Sequence, residues 1–172
     1  MQVLDHDAPA DADHDGVFAV VVRASDGYLT DDQALAVTVT NVNEAPALTG
    51  AQATLANGTE DNGYTVSLAQ LVTGFTDVDG DTLSVANLSA SNGAITDNLD
   101  GTYTITPSAN YNGAVTLSYD VIDGNGGSVV ATLGYTLNAV NDAPAALALS
   151  NASVAENSAI GATVGTLLPT DV

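Results

Sequence analysis

The side chains with the most chemistry to offer in this sequence are carboxylates. Asp77-Val78-Asp79-Gly80-Asp81 places three of them at alternate positions around a glycine. A turn that aims alternate side chains to one side delivers three hard oxygens to one point. Calcium takes about six to eight such oxygens at ~2.3–2.6 Å, so a divalent cation is the ligand this spacing fits. Asp and Gly are also ordinary turn formers, and the run by itself does not separate a metal loop from a solvated turn.

Other landmarks accompany that run. Two short stretches nearly duplicate each other, NVNEAP from Asn41 to Pro46 and AVNDAP from Ala139 to Pro144, 98 residues apart. Asp26-Gly27 and Asp123-Gly124, 97 apart, precede them, and Glu60 and Glu156, 96 apart, follow them. Three landmarks sharing one period mark an internal repeat. The chain then divides into the end of one unit (1–43), a whole unit (44–142) and the start of a third (143–172).

Other chemistries find little support. The chain has two histidines, His6 and His14, both in an acidic stretch, and no cysteine. Thiolate metal sites and disulfides are therefore excluded, and zinc at two loop histidines is a weaker reading than plain surface residues. No G-x-S-x-G stands in the sequence, and paired carboxylates of the kind that hydrolyse glycosides are trivial to find where Asp is abundant. The expectation is a protein that is not an enzyme. Asp11, Asp13 and Asp15 could form a further cation site or a solvated acidic loop.

The elements that position these carboxylates follow a period of two. Val115, Leu117, Tyr119 and Val121 alternate with polar residues, and Phe18, Val20 and Val22, then Leu35, Val37 and Val39, repeat the pattern. Such alternation predicts half-buried antiparallel strands. Asp100-Gly101, ahead of Thr102-Tyr103-Thr104-Ile105, predicts a tight hairpin. Leu68 to Phe75 allows at most one helical turn. Short strands with frequent turn signals over about 100 residues predict an all-β, immunoglobulin-like Greek-key β-sandwich.

Charge narrows the partners. Asp and Glu number 21 against one basic residue, Arg23, for a formal charge of -20. Nucleic acid is excluded as a partner, while divalent cations are attracted. No run of about 18 apolar residues could span a membrane, and the start at Met1-Gln2-Val3-Leu4-Asp5 lacks the basic and apolar regions of a signal peptide. Because it opens and closes inside repeat units, the chain is expected to be a piece of something longer.

NVNEAP and AVNDAP resemble relaxed forms of the Asp-x-Asn-Asp-Asn-x-Pro linker of cadherins. SVAENSAIGATVGTL, Ser153 to Leu167, resembles the opening strands of a cadherin repeat, and the segment from Ala8 to Pro46 resembles the closing strands of bacterial cadherin-like repeats. TDVDGDTL and DGTYTITPSANYNG in the middle unit are similar to tandem repeats of giant bacterial adhesins. The resemblance covers nearly the whole chain. It implies calcium between consecutive modules, held at the first boundary by Asn41, Asn43, Glu44, Asp77, Asp79 and Asp123, with Asp81 closing the acidic run. At the second boundary it implies Glu60, Asn141, Asp142 and Asp171, with Glu156 as the early glutamate of the third unit. Ala139, Ala45 and Ala143 stand where the family has ligands, so both sets are expected to be incomplete.

The expected function is a calcium-binding structural or adhesive repeat of a large bacterial extracellular or cell-surface protein, with neighbouring repeats as partners. The alternative is a carbohydrate- or surface-ligand-binding module, for which Tyr64, Tyr103, Tyr111, Tyr119 and Tyr135 could furnish a platform, although the strand positions of Tyr119 and Tyr135 read as core. With no Trp, the strand exchange of animal cadherins does not carry over. The end units leave strand edges that could meet between molecules, a homotypic contact.

Overall fold

The computed structural model of the chain describes residues 6–7, 17–144 and 146–170. Its regular structure is almost entirely β: β1 (Val17–Ser25), β2 (Thr30–Thr38), β3 (Ala47–Leu48), β4 (Gly58–Thr59), β5 (Tyr64–Ser67), β6 (Phe75–Thr76), β7 (Ser84–Ala90), β8 (Ala94–Asp97), β9 (Thr102–Thr106), β10 (Gly113–Ile122), β11 (Ser128–Asn138), β12 (Ala146–Leu149) and β13 (Leu167–Thr170). Among the described residues the single helical turn, α1, spans Leu68–Leu71. The two larger sheets run β4-β11-β10-β7 and β5-β9-β8, and β1-β2, β3-β6 and β12-β13 are two-stranded. This is the all-β sandwich that the alternation predicts.

Burial follows the period of two. In β10, Val115, Leu117, Tyr119 and Val121 are buried and the residues between them are not. In β11 the buried set is Ala131, Leu133, Tyr135 and Leu137. The inward face of each strand removes aliphatic surface from water, at about 1.5–3 kcal/mol for each fully buried large side chain. Two compact units contain these residues, one of Met1–Ala53, Leu68–Leu88 and Ser118–Thr132, the other of Thr54–Ser67, Ser89–Leu117 and Leu133–Val172.

In the first unit the core is Leu71, Phe75, Tyr119, Val121 and Ala131. The buried Tyr119 hydroxyl donates to the Leu71 carbonyl at 2.9 Å, satisfying one of the carbonyls that a helix leaves open at its C-terminus. Gly74 then turns the chain at φ 86, a conformation that favours glycine. The β1-β2 hairpin pairs Phe18 with Val37 and Val20 with Leu35, in register with the predicted alternation. Arg23 forms a bidentate ion pair with Asp32 across it, at 2.6 and 2.7 Å.

In the second unit the core is Leu55, Val66, Ile105, Val115, Leu117, Leu133, Tyr135 and Leu137. Tyr64 stacks on Tyr135 with centroids 3.9 Å apart. Strand β4 runs parallel to β11, pairing Gly58 with Leu137 and Thr59 with Asn138. The hairpin between β8 and β9 forms as predicted, with a connection that spans Asn98–Gly101. Leu99 takes φ 60 as well as Gly101 at φ 83, and Asp97 accepts the Leu99 N–H at 2.8 Å, so the loop begins two residues before Asp100.

Two pairs of sequence landmarks share local geometry. Asp26 Oδ1 accepts the N–H groups of Tyr28 and Leu29, two and three residues on, and Asp123 Oδ1 accepts those of Asn125 and Gly126 in the same way. β12 pairs Ala146 with Thr170 as β3 pairs Ala47 with Thr76, and each threonine precedes an Asp-Val.

Candidate functional site

The first linker meets the acidic turn within one unit. The turn starts after β6, where Gly80 at φ 78 donates to the Asp77 carbonyl at 3.3 Å and Asp77 Oδ1 accepts the Asp79 N–H at 2.9 Å. This folding gathers Asp77, Asp79 and Asp81 so that one carboxylate oxygen from each lies within 4.8 Å of the others. Oxygens on opposite sides of an ion at ~2.4 Å stand ~4.8 Å apart, so the three can share one calcium-sized cation. Asp77 Oδ2 is buried and has no hydrogen-bond partner. A desolvated carboxylate oxygen without a donor is costly, and a cation ligand is the partner its chemistry calls for. All of these donors are hard oxygens, which fits calcium and not a soft metal.

Linker residues hold the turn from the other side. Asn41 donates its amide to Asp79 Oδ1 at 2.7 Å, and the Glu44 N–H donates to Asp79 Oδ2 at 2.9 Å. Asp81 Oδ2 accepts the Asn125 amide at 2.7 Å. Asp7, Glu44 and Asp79 form a second cluster with oxygens equally close. Beside it, Asp123 is 5% exposed and collects the N–H groups of Asn125, Gly126 and Gly127 together with the Asn43 amide at 2.9 Å.

Electrostatics distinguish these acids. The Glu44 N–H, then the Asn41 amide, hold the Asp79 carboxyl below its usual range. The Asn43 amide, helped by the three backbone donors, does the same for Asp123 against the opposing effect of burial. Glu44 moves the other way, because burial and the nearby charges of Asp79 and Asp7 disfavour its ionised form.

The second linker is organised differently. Glu60, 3% exposed, accepts the Val140 N–H on Oε1 at 2.7 Å and the Asn112 amide on Oε2 at 3.2 Å, while its own N–H donates to Asn138 at 3.0 Å. Asn141 donates to the Asp142 carbonyl at 3.1 Å. Among the described residues no acidic cluster forms around Glu60, Asn141 and Asp142. Glu156 is exposed, and Asp171, Asp11, Asp13, Asp15 and His14 lie outside the described residues. Of the tyrosines proposed as a platform, Tyr119 and Tyr135 are buried at 2% and 5% exposure, in keeping with their strand positions.

Thus the structure brings Asn41, Glu44, Asp77, Asp79 and Asp81 together, sets Asn43 on Asp123, and places Glu60 on the second linker. Sequence reasoning missed Asp7, Asn112 and Asn125. Asn125 had a signal, standing two residues after Asp123 in Asp-Gly-Asn-Gly-Gly; Asp7 and Asn112 had none.

A two-sheet β module entered through an acid-clasped linker defines the class of protein. Residues 42–138 match the family described as Cadherin-like domain, and the chain belongs to that family. No curated protein matches it. Among solved structures it is similar to a point variant of the endo-fucoidan hydrolase MfFcnA4 of glycoside hydrolase family 107, at 26% identity over 73% of this chain and 19% of that one, with a TM-score of 0.44. A second MfFcnA4 structure gives 20% identity over 72% and 19%, with a TM-score of 0.42. The related enzyme MfFcnA9 gives 20% over 70% and 22%, with a TM-score of 0.38. The chain spans about a fifth of the length of these enzymes. Among the described residues no helix is long and apolar enough to cross a membrane.

Proposed function

We propose that the chain is a non-catalytic, calcium-binding repeat of a larger bacterial extracellular or cell-surface protein, a spacer in a tandem array that serves cell adhesion. The observation that carries this reading is Asp77 Oδ2, buried without a donor in a turn whose three carboxylates converge. Asp77, Asp79 and Asp81 would hold the ion, with Glu44 and Asp7 adding charge at the same place. Bound calcium supplies the positive charge that turns their mutual repulsion into shared coordination.

The chain's own residues transmit this to the linker. Asn41 and the Glu44 N–H bind Asp79 directly, so fixing the turn fixes the peptide from Asn41 to Glu44. Without a cation, Glu44, Asp79 and Asp7 oppose one another and the linker is less restrained. Titration calorimetry with calcium, paired with melting in calcium and in chelator, tests the reading. Saturable binding and a rise in melting temperature, both lost in Asp77→Asn, are expected. No binding at about millimolar calcium and an unchanged melting curve would overturn it.

A further inference from the structure

Glycine follows five asparagines in this sequence: Asn57, Asn62, Asn92, Asn112 and Asn125. In this dipeptide an asparagine side chain reacts most readily with its own backbone, because glycine has no Cβ to shield the next amide nitrogen. That nitrogen bonds to the asparagine Cγ and gives its proton to hydroxide. The Cγ–N bond of the side-chain amide breaks, and its nitrogen leaves as ammonia after taking a proton from water. Water then opens the five-membered imide to aspartate or isoaspartate. The net change consumes one water and releases one ammonia, with nothing oxidised or reduced.

Attack requires the side chain to swing away from its partners, and the fold restrains the five to different degrees. Asn125 donates to Asp81 at 2.7 Å, its own N–H is held by Asp123 Oδ1 at 2.7 Å, and the attacking N–H of Gly126 is held by the same oxygen at 3.0 Å. Asn92 is tied at both ends to Ser108, accepting its N–H at 3.0 Å and donating to its hydroxyl at 3.4 Å. Asn62 donates to the Thr59 hydroxyl and the Glu60 carbonyl at 3.1 and 3.2 Å. Asn112 is exposed, and among the described residues its side chain has one partner, Glu60 Oε2, at 3.2 Å. Gly113 sits at φ 129, and the group nearest to a Cβ there is the Tyr111 hydroxyl at 3.7 Å, so the peptide to be attacked is uncrowded.

We infer that Asn112 is a site of spontaneous hydrolysis whose conversion loosens the second linker. Its amide faces a carboxylate that is 3% exposed and that also holds the Val140 N–H at 2.7 Å. An aspartate in its place has no donor to offer and sets a second negative charge against Glu60. Glu60 then takes up a proton or moves away from that charge, and either change weakens its hold on Val140. The isoaspartate product also lengthens the main chain by one carbon immediately before β10. The change needs only water and is irreversible, and it is independent of calcium binding.

The test is to age the whole folded chain in mildly alkaline buffer with chelator, following each asparagine by peptide mass mapping and isoaspartate by methyltransferase labelling. Asn57, exposed and without a side-chain partner among the described residues, is the internal reference, and its conversion is expected to leave the melting temperature unchanged. Asn112 is expected to convert about fivefold faster or more than Asn62, Asn92 and Asn125, because fewer hydrogen bonds must open first. Its conversion is expected to lower the melting temperature by about 5–15 °C. Asn112→Asp reproduces that fall without ageing. Asn112→Gln keeps an amide but must close a larger ring, so its melting temperature is expected to survive the same treatment. In denaturant the five sites are expected to convert at similar rates, which assigns any difference in the folded chain to structure. Three results would overturn the inference: Asn112 converting no faster than Asn92, an Asn112→Asp protein that melts with the parent, or an Asn112→Gln protein that loses stability on ageing as the parent does.

Discussion

Replacing Glu60 tests whether a buried carboxylate, rather than a metal, fastens the second linker. The side chain is 3% exposed and serves two donors, the Val140 N–H at 2.7 Å and the Asn112 amide at 3.2 Å. Hydrogen bonds to a charged group contribute about 1.5–3 kcal/mol each, and the longer contact belongs at the low end. Removing the carboxylate also relieves its desolvation, which offsets part of the loss. A net cost of about 2–3 kcal/mol is expected for Glu60→Ala, or about 10–20 °C in melting temperature for a module of this size. Glu60→Gln retains an acceptor for Val140 but turns an amide donor toward the Asn112 amide, so roughly half that loss is expected. Differential scanning calorimetry in chelator excludes a metal contribution. A Glu60→Ala protein melting within about 2 °C of the parent would refute the reasoning. So would a glutamine variant as stable as the parent, since packing alone would then explain the loss in Glu60→Ala.

Four further outcomes follow from the first linker. Asp79→Asn is expected to reduce the calcium-induced rise in melting temperature, read by scanning fluorimetry with and without chelator. Because the folded carboxyls of Asp79 and Asp123 titrate below their unfolded values, the stability they contribute is present above about pH 4 and lost as pH falls through the depressed values. A melting profile against pH in chelator is expected to lose part of its acid limb in Asp123→Asn. Glu44 has the opposite sign: its folded value is raised, so ionisation opposes folding above the ordinary glutamate range. Glu44→Gln is therefore expected to raise the melting temperature in chelator at pH 7 while weakening calcium binding by calorimetry. A Cβ at Gly127 would collide with Asp123 Oδ2 and lie 2.7 Å from Ala45 Cα and 2.9 Å from the Glu44 carbonyl. Gly127→Ala should cost about 1–3 kcal/mol in chemical denaturation, since backbone is among the groups that must move.

The fold was legible because strand alternation is a local signal. Val115 to Val121 show their inward face in the order of residues alone, and burial at 1%, 0%, 2% and 0% follows it. The convergence of Asp77, Asp79 and Asp81 was also local, requiring only a turn around Gly80. Groupings made at long range were legible only through the family resemblance, and the form of their contacts was not. Asn43 reaches Asp123 across 80 positions and Glu60 reaches Val140 across another 80, and nothing in either stretch says that the acid will accept N–H groups rather than join a cluster. Asp7 lay in an acidic run without a landmark to relate it to Glu44. The β8-β9 hairpin and the positive φ of Gly101 were legible from Asp100-Gly101, but not the start of the loop at Asn98, where Asp97 caps Leu99 in a left-handed conformation that leucine rarely adopts.

In the proposed array, the parallel pairing of β4 with β11 would determine how this module bears a load. β11 runs directly into the second linker, and β4, in the chain's direction of entry, lies alongside it with Gly58 against Leu137 and Thr59 against Asn138. Tension pulls β4 back toward the preceding chain and β11 forward toward the following one. Parallel neighbours pulled in opposite senses slide past each other, so their cross-links are sheared together instead of being peeled one after another. Glu60, gripping Val140 just past the end of β11, adds a further fastening to that short clamp, and the grip is made of ordinary hydrogen bonds that need no ion.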